Sequence, residues 1–196
     1  MAVSTDAATG PLGNNGGKFW SFRPVNKINQ IVISSGGPGN NNPIGITFSS
    51  TNNDGSKDTL TIGGGGTDTT VIRNDTINID GADEYLTEIS GTFGPFIDMS
   101  FNVLRSIKFT TNVRAFGPYG PNVGTPFNFQ TQNGSKIVGF FGRAGFYVDA
   151  IGRKLQKFPP ANPNGPAMVS IGTADAMISW MIIEKQSKRK IENEQF

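Results

Sequence analysis

In "GRAGFYVDAIG" (residues 142–152), Asp149 stands four residues after Gly145, with Phe146 and Tyr147 between them. A carboxylate accepts hydrogen bonds from two adjacent hydroxyls, successive backbone N–H groups donate to further oxygens, and an aromatic ring offers a flat apolar wall. Those groups suit a sugar ring, which presents vicinal hydroxyls, a C–H face and little charge. A glycine opening the turn permits φ > 0, so that the amides after it converge on one point. Such an arrangement binds and contains no catalytic group. The same GxxxD spacing recurs at Gly64–Asp68 and Gly94–Asp98. In a chain of this glycine and aspartate content it is expected about once by chance, so spacing alone does not choose among the three.

Composition narrows the chemistry further. The chain has neither histidine nor cysteine, which removes the Ser/His/Asp triad, the Cys/His pair, the HExxH zinc site and every thiolate metal site. No cofactor or metal is expected. A carboxylate-pair glycosidase stays open on Asp83, Glu84 and Glu88, although no feature raises the pKa of any of them. Net charge is +2, and part of the basic excess falls in the C-terminal "KRK". No basic stripe crosses the body, so nucleic acid is not an expected partner. The N-terminal "MAVSTDAATGPLG" has no charged n-region and no apolar h-region. The expected location is therefore cytoplasmic, with the nucleus as the alternative. The sequons at Asn74 and Asn133 are then polar turns.

The elements that must hold the candidate residues are short. The chain carries 26 Gly and 12 Pro against 16% charged residues, the composition of an all-β protein of short strands and tight turns. Nine runs read as strands: "FWSFRP" from 19, "INQIVIS" from 28, "IGITFSS" from 44, "DTLTIG" from 58, "TINID" from 76, "YLTEISG" from 85, "VLRSIKFTTNV" from 103, "KIVGFF" from 136 and "YVDAIG" from 147. Glycine-rich loops recur at 13–17, 63–66 and 117–124. A second set of turns recurs at 36–42, 94–98 and 145–149. Three of each predicts pseudo-three-fold symmetry, each unit contributing one turn of each kind.

Four segments follow: an N-terminal tail (1–9), a β domain (10–157), a Pro-rich linker (158–167) and a C-terminal segment (168–196). In the last, Ala174, Met177, Ile178, Met181 and Ile182 keep helical spacing behind a cap at Thr173. That segment is either an amphipathic helix or a partly ordered tail. Its apolar run is too short to span a membrane.

"KIVGFFGRAGFYVDAIG", with "GPLGNNGGKF", "EISGTFGPF" and "AFGPYGPNVGTPF", closely resembles the jacalin-related lectins over residues 10–157. The resemblance implies a β-prism of three four-stranded Greek-key sheets. It also implies a mannose- or glucose-binding site where the N-terminal glycine loop meets the last GxxxD turn. Gly17, Phe146 and Tyr147 would donate backbone N–H groups and Asp149 its carboxylate. Gly145 would shape the turn, and the Val148 side chain would touch the ring. The turn at 36–42 has no aspartate, so a site beside 63–66 is expected to be weak or empty. A further weak site is expected at Gly94, Phe96, Ile97 and Asp98, where Pro95 lacks a donor. Leu12 stands where a tryptophan is frequent in the family.

Trp20, Phe140 and Phe141 are expected to pack, and Tyr147 to wall the site. The partners implied are mannose- or glucose-containing glycans and, for avidity, other copies of the chain. The alternative is a protein-interaction or signalling prism that has lost sugar binding and acts through its C-terminal segment.

Overall fold

The computed structural model describes residues 7–36, 42–65, 71–95 and 101–159. Residues Met1–Phe158 form one compact unit. The linker and C-terminal segment from residue 160 lie outside the described residues, as do residues 1–6. Among the described residues no helix is long and apolar enough to cross a membrane.

The unit is all-β and antiparallel, with twelve strands: β1 (Ala7–Gly13), β2 (Lys18–Phe22), β3 (Gln30–Gly36), β4 (Asn42–Thr51), β5 (Lys57–Gly63), β6 (Val71–Asn78), β7 (Leu86–Pro95), β8 (Asn102–Thr111), β9 (Ala115–Tyr119), β10 (Thr125–Gln130), β11 (Ser135–Ala144) and β12 (Val148–Lys157). They pair in three sets of four: β1-β12-β11-β2, β5-β4-β3-β6 and β9-β8-β7-β10. The first and third sets touch through the single pair Ile137↔Leu86. In each set a central hairpin is flanked by two outer strands, which a glycine loop joins across the end of the hairpin. This is the Greek key of the expected prism, and the strand that opens the domain begins at Ala7 rather than at residue 10.

Nine strands match the runs legible in the sequence; β1, β9 and β10 do not. Each of the three pairs with one neighbour only. Each carries a proline, at Pro11, Pro118 and Pro126, which an outer strand tolerates because one side of its backbone has no ladder to donate to.

The three sets share one register irregularity. Arg143 pairs with Ala150 and Ala144 with Val148, so Asp149 bulges. In the second set Ile44 is skipped between Ser34↔Gly45 and Ser35↔Pro43. In the third Arg105 is skipped between Thr92↔Ser106 and Phe93↔Leu104. The bulge explains why Val148 and Ile151, three apart, both reach the core, as do Leu104 and Ile107; strict alternation would send one of each pair outward. The glycine loops cross these bulges at the same place. A Cβ on Gly13, Gly63 or Gly120 would meet the carbonyl oxygen of Asp149, Ile44 or Arg105 at 2.2, 2.3 and 2.2 Å.

All three sheets contribute to the interior. Phe48 of β4, fully buried, stacks on Phe140 of β11 at 4.8 Å and on Trp20 and Phe22 of β2 at 6.0 Å each. Phe109 of β8 meets Phe140 edge-on at 6.0 Å. Removing each such side chain from water contributes about 1.5–3 kcal/mol. Phe141, only partly buried, lies on the outer face 6.5 Å from Phe19.

Candidate functional site

At the loop end of the unit, a smaller cluster brings together Ile44, Val103 and Tyr147, one residue from each sheet. Tyr147 is 6% exposed. It lines the site, as expected, while most of the side chain is buried and anchors the β11–β12 turn at the three-sheet junction. The open aromatic of the turn is Phe146, 65% exposed. Its carbonyl accepts from the Gly64 N–H at 2.9 Å, a donor shared with Ile44 O at 2.8 Å. The second sheet's glycine loop thus braces the first sheet's turn.

Val148 needs a correction. Its side chain is fully buried, because the strand turns it inward immediately before the bulge. It shapes the site from beneath and cannot touch a ligand.

Asp149 is the outward residue of the bulge and is nonetheless only 5% exposed. Its own carbonyl accepts from Asn14 N–H at 2.7 Å, tying β12 to the β1–β2 loop. Burial raises the carboxyl above the ordinary aspartate value. A hydrogen bond from the Gly145 N–H and the charge of Arg143 act in the opposite direction. A Cβ on Gly16 would lie 2.5 Å from Oδ1, and one on Gly17 2.5 Å from Oδ2. The acid therefore sits against bare backbone that no larger residue can supply.

Gly17 has φ +57°, the left-handed region that favours glycine. Gly145 does not share that conformation, which corrects the expectation for the turn. A Cβ there would point at Gly17 Cα, 3.4 Å away, and at Asp149 Oδ2, 3.7 Å away, so its bareness keeps the acid accessible.

A depression of about 590 Å³ opens here, lined by the backbone of Gly16, Gly17 and Gly145 together with Phe146, Tyr147 and Asp149; Asn14, Gly65 and Phe101 complete it. Sequence reasoning had five of these: Gly17, Gly145, Phe146, Tyr147 and Asp149 come together here. It missed Asn14, Gly16, Gly65 and Phe101, which come from three different connections, and it missed Arg143. Arg143 Nε donates to Gly16 O and its Nη2 to Gly17 O, both at 2.8 Å. The quoted "GFFGR" contains that arginine, but only the fold reveals what it holds.

Asp149 is the one acid lining the depression among the described residues. Glu84, a candidate for a carboxylate pair, lies at the opposite end, where β7 begins. There Arg114 Nε donates to its Oε1 at 2.9 Å and Thr111 Oγ1 to the same oxygen at 2.9 Å. That ion pair holds Glu84 below the ordinary glutamate value. Glu88 accepts from Asn128 Nδ2 at 3.4 Å on the face of the third sheet. These acids do not pair with Asp149.

The other two bulges are not acceptors. Ile44 is fully buried, in line with the expectation that the second sheet lacks its acid. On the third sheet the register gives the position of Asp149 to Arg105, whose Nε donates to Asn42 Oδ1 at 3.2 Å and whose Nη1 donates to Pro95 O. Phe96, Ile97 and Asp98 themselves lie outside the described residues, and Gly94 packs against the Arg105 side chain and Gly124.

The profile of the Jacalin-like lectin domain matches residues 9–153. The chain is 66% identical over 152 residues to the jacalin-related lectin Calsepa of Calystegia sepium, covering 78% of this chain and 96% of that protein. The crystal structure of Calsepa lectin in complex with a biantennary N-glycan aligns with a TM-score of 0.73 at 63% identity, over 80% of this chain and 99% of that one. A mannose/glucose-specific lectin of Parkia platycephala is 40% identical over 152 residues, which span 76% of this chain and 32% of that protein.

Proposed function

The chain belongs to the jacalin-like lectin family, and we propose on that premise that it is a non-catalytic carbohydrate-binding protein for mannose- or glucose-type glycans. The observation that carries the reading is the Asp149 carboxylate set against the bare backbone of Gly16 and Gly17. Two vicinal hydroxyls donate to the carboxylate, while the Gly17, Phe146 and Tyr147 N–H groups donate to the remaining oxygens. Phe146 offers an apolar face to the ring. The preference for mannose and glucose rests on Gly17 lying inside a continuous chain, without the free glycine amine that galactose-preferring members gain by cleavage.

A single shallow site of this kind holds a monosaccharide with a Kd of about 1 mM, equivalent to about −4 kcal/mol. Useful avidity then comes from several sites, most simply through homo-oligomerisation.

Titration of wild type and Asp149→Ala with methyl α-mannoside, followed by ligand-observed NMR, tests the assignment. Saturable binding lost in the variant is expected. No binding by wild type, with methyl glucoside and oligomannose also silent, overturns it.

A further inference from the structure

Arg143 reaches the β1–β2 loop from a position 126 residues away in sequence and holds two successive carbonyls, Gly16 O and Gly17 O, each at 2.8 Å. The planar guanidinium presents its donors as a rigid fork, so both contacts are set by one side-chain placement. The Gly16–Gly17 peptide is not among the cis bonds. In a trans peptide the C=O and the following N–H point in opposite directions. Holding the Gly16 carbonyl on the Arg143 side therefore turns the Gly17 N–H to the other side. Gly16 and Gly17 line the depression and Arg143 does not, so the other side is the one a ligand occupies.

The pseudo-symmetry provides an internal comparison. The register positions corresponding to Arg143 are Ser34 on β3 and Thr92 on β7. Neither can reach across a loop as a two-pronged donor, and neither stands beside a bulge that carries an acid. The guanidinium accompanies the one bulge with a carboxylate.

We infer that Arg143 is a positioning residue of the carbohydrate site, fixing from behind the loop both the direction of the Gly17 N–H and its distance from the Asp149 carboxylate. The inference rests on the lectin reading above for the identity of the ligand, but not for the clamp itself. The cation also opposes the upward pull of burial on Asp149, so its loss moves the acid end of the binding profile.

Wild type, Arg143→Gln and Arg143→Lys are titrated with methyl α-mannoside across pH, and Gly17 amide exchange is followed by NMR without sugar. Arg143→Gln is expected to bind about tenfold to a hundredfold more weakly, with the acid midpoint of binding moved upward and Gly17 exchanging faster. Arg143→Lys keeps the charge but cannot span both carbonyls, so it restores the midpoint and only part of the affinity. Binding within about twofold of wild type in both variants, with unchanged Gly17 exchange, overturns the inference. If wild type binds no sugar, the lectin reading fails, and the exchange comparison alone then decides the clamp. Faster exchange in Arg143→Gln upholds it and unchanged exchange overturns it.

Discussion

Asp149 and Ile44 occupy the same bulge on two pseudo-equivalent sheets, one carrying a carboxylate to the surface and the other sealed in a three-residue apolar cluster. With Arg105 in the third copy, the prism offers a hydroxyl acceptor at one bulge out of three. A titration is therefore expected to saturate at one sugar per chain, measured by calorimetry or native mass spectrometry. Two sugars per chain would show that an acceptor outside the bulge positions suffices.

Burial disfavours the charged form of the acid more than the Gly145 N–H and the Arg143 charge favour it. Its folded-state pKa is raised, so the folded protein binds this proton more tightly than the unfolded chain does, and stability from this group falls as pH rises through the raised value. Asp149→Asn is expected to melt higher than wild type at pH 7. The gap should close as pH falls through the raised value into the ordinary aspartate range, while sugar binding is lost at every pH. Wild-type binding should weaken over that same acid window. A variant that melts lower than wild type at pH 7 contradicts this account, and differential scanning calorimetry reads it directly.

Gly17→Ala combines strain with obstruction. The left-handed conformation costs an alanine about 1–2 kcal/mol, and its Cβ would stand 2.3 Å from the Ala144 carbonyl carbon and 2.5 Å from Asp149 Oδ2. The variant is expected to unfold at lower urea and to lose mannoside binding altogether. Retained binding at wild-type affinity would mean that the loop relaxes without consequence.

The two exposed aromatics of the depression should separate by ligand length. Phe146 adjoins the acceptor in sequence and in the turn, so Phe146→Ala is expected to weaken methyl α-mannoside by about threefold to tenfold, the value of one aromatic contact. Phe101 enters from the connection before β8, and a depression of about 590 Å³ falls in the ~300–1,000 Å³ range of small-molecule sites. Phe101→Ala should leave the monosaccharide unchanged and weaken a mannotriose. Neither variant should shift the melting temperature appreciably, since both side chains are exposed.

How much of this was legible in the sequence depended on what kind of signal each residue leaves. The central hairpins were readable because their strands alternate or run apolar, and the two families of glycine turns marked the ends of the sheets. The outer strands β1, β9 and β10 were not, because a strand with one neighbour can carry Gly-Pro and expose most of its side chains. Gly17, Phe146 and Asp149 could be named through the resemblance to the lectin family, yet Val148 was misassigned. The reason is the bulge, an extra residue whose position is decided by the partner strand and leaves no trace in β12 alone. Phe101 and Arg143 escaped for a related reason: each acts across a contact between segments distant in sequence, which no local pattern encodes.

β1 pairs with β12, and the clamp on Gly16 and Gly17 comes from β11. The first strands of this domain to be made thus wait for its last ones, and the second and third sheets can form before the first has its centre. Long-range pairing of this kind is slow and comes late. The Asp149 site is incomplete until β12 is free to pair, so a growing chain cannot use it. A stop before β12 removes the carboxylate together with its strand, and such a chain is silent at this site rather than weak.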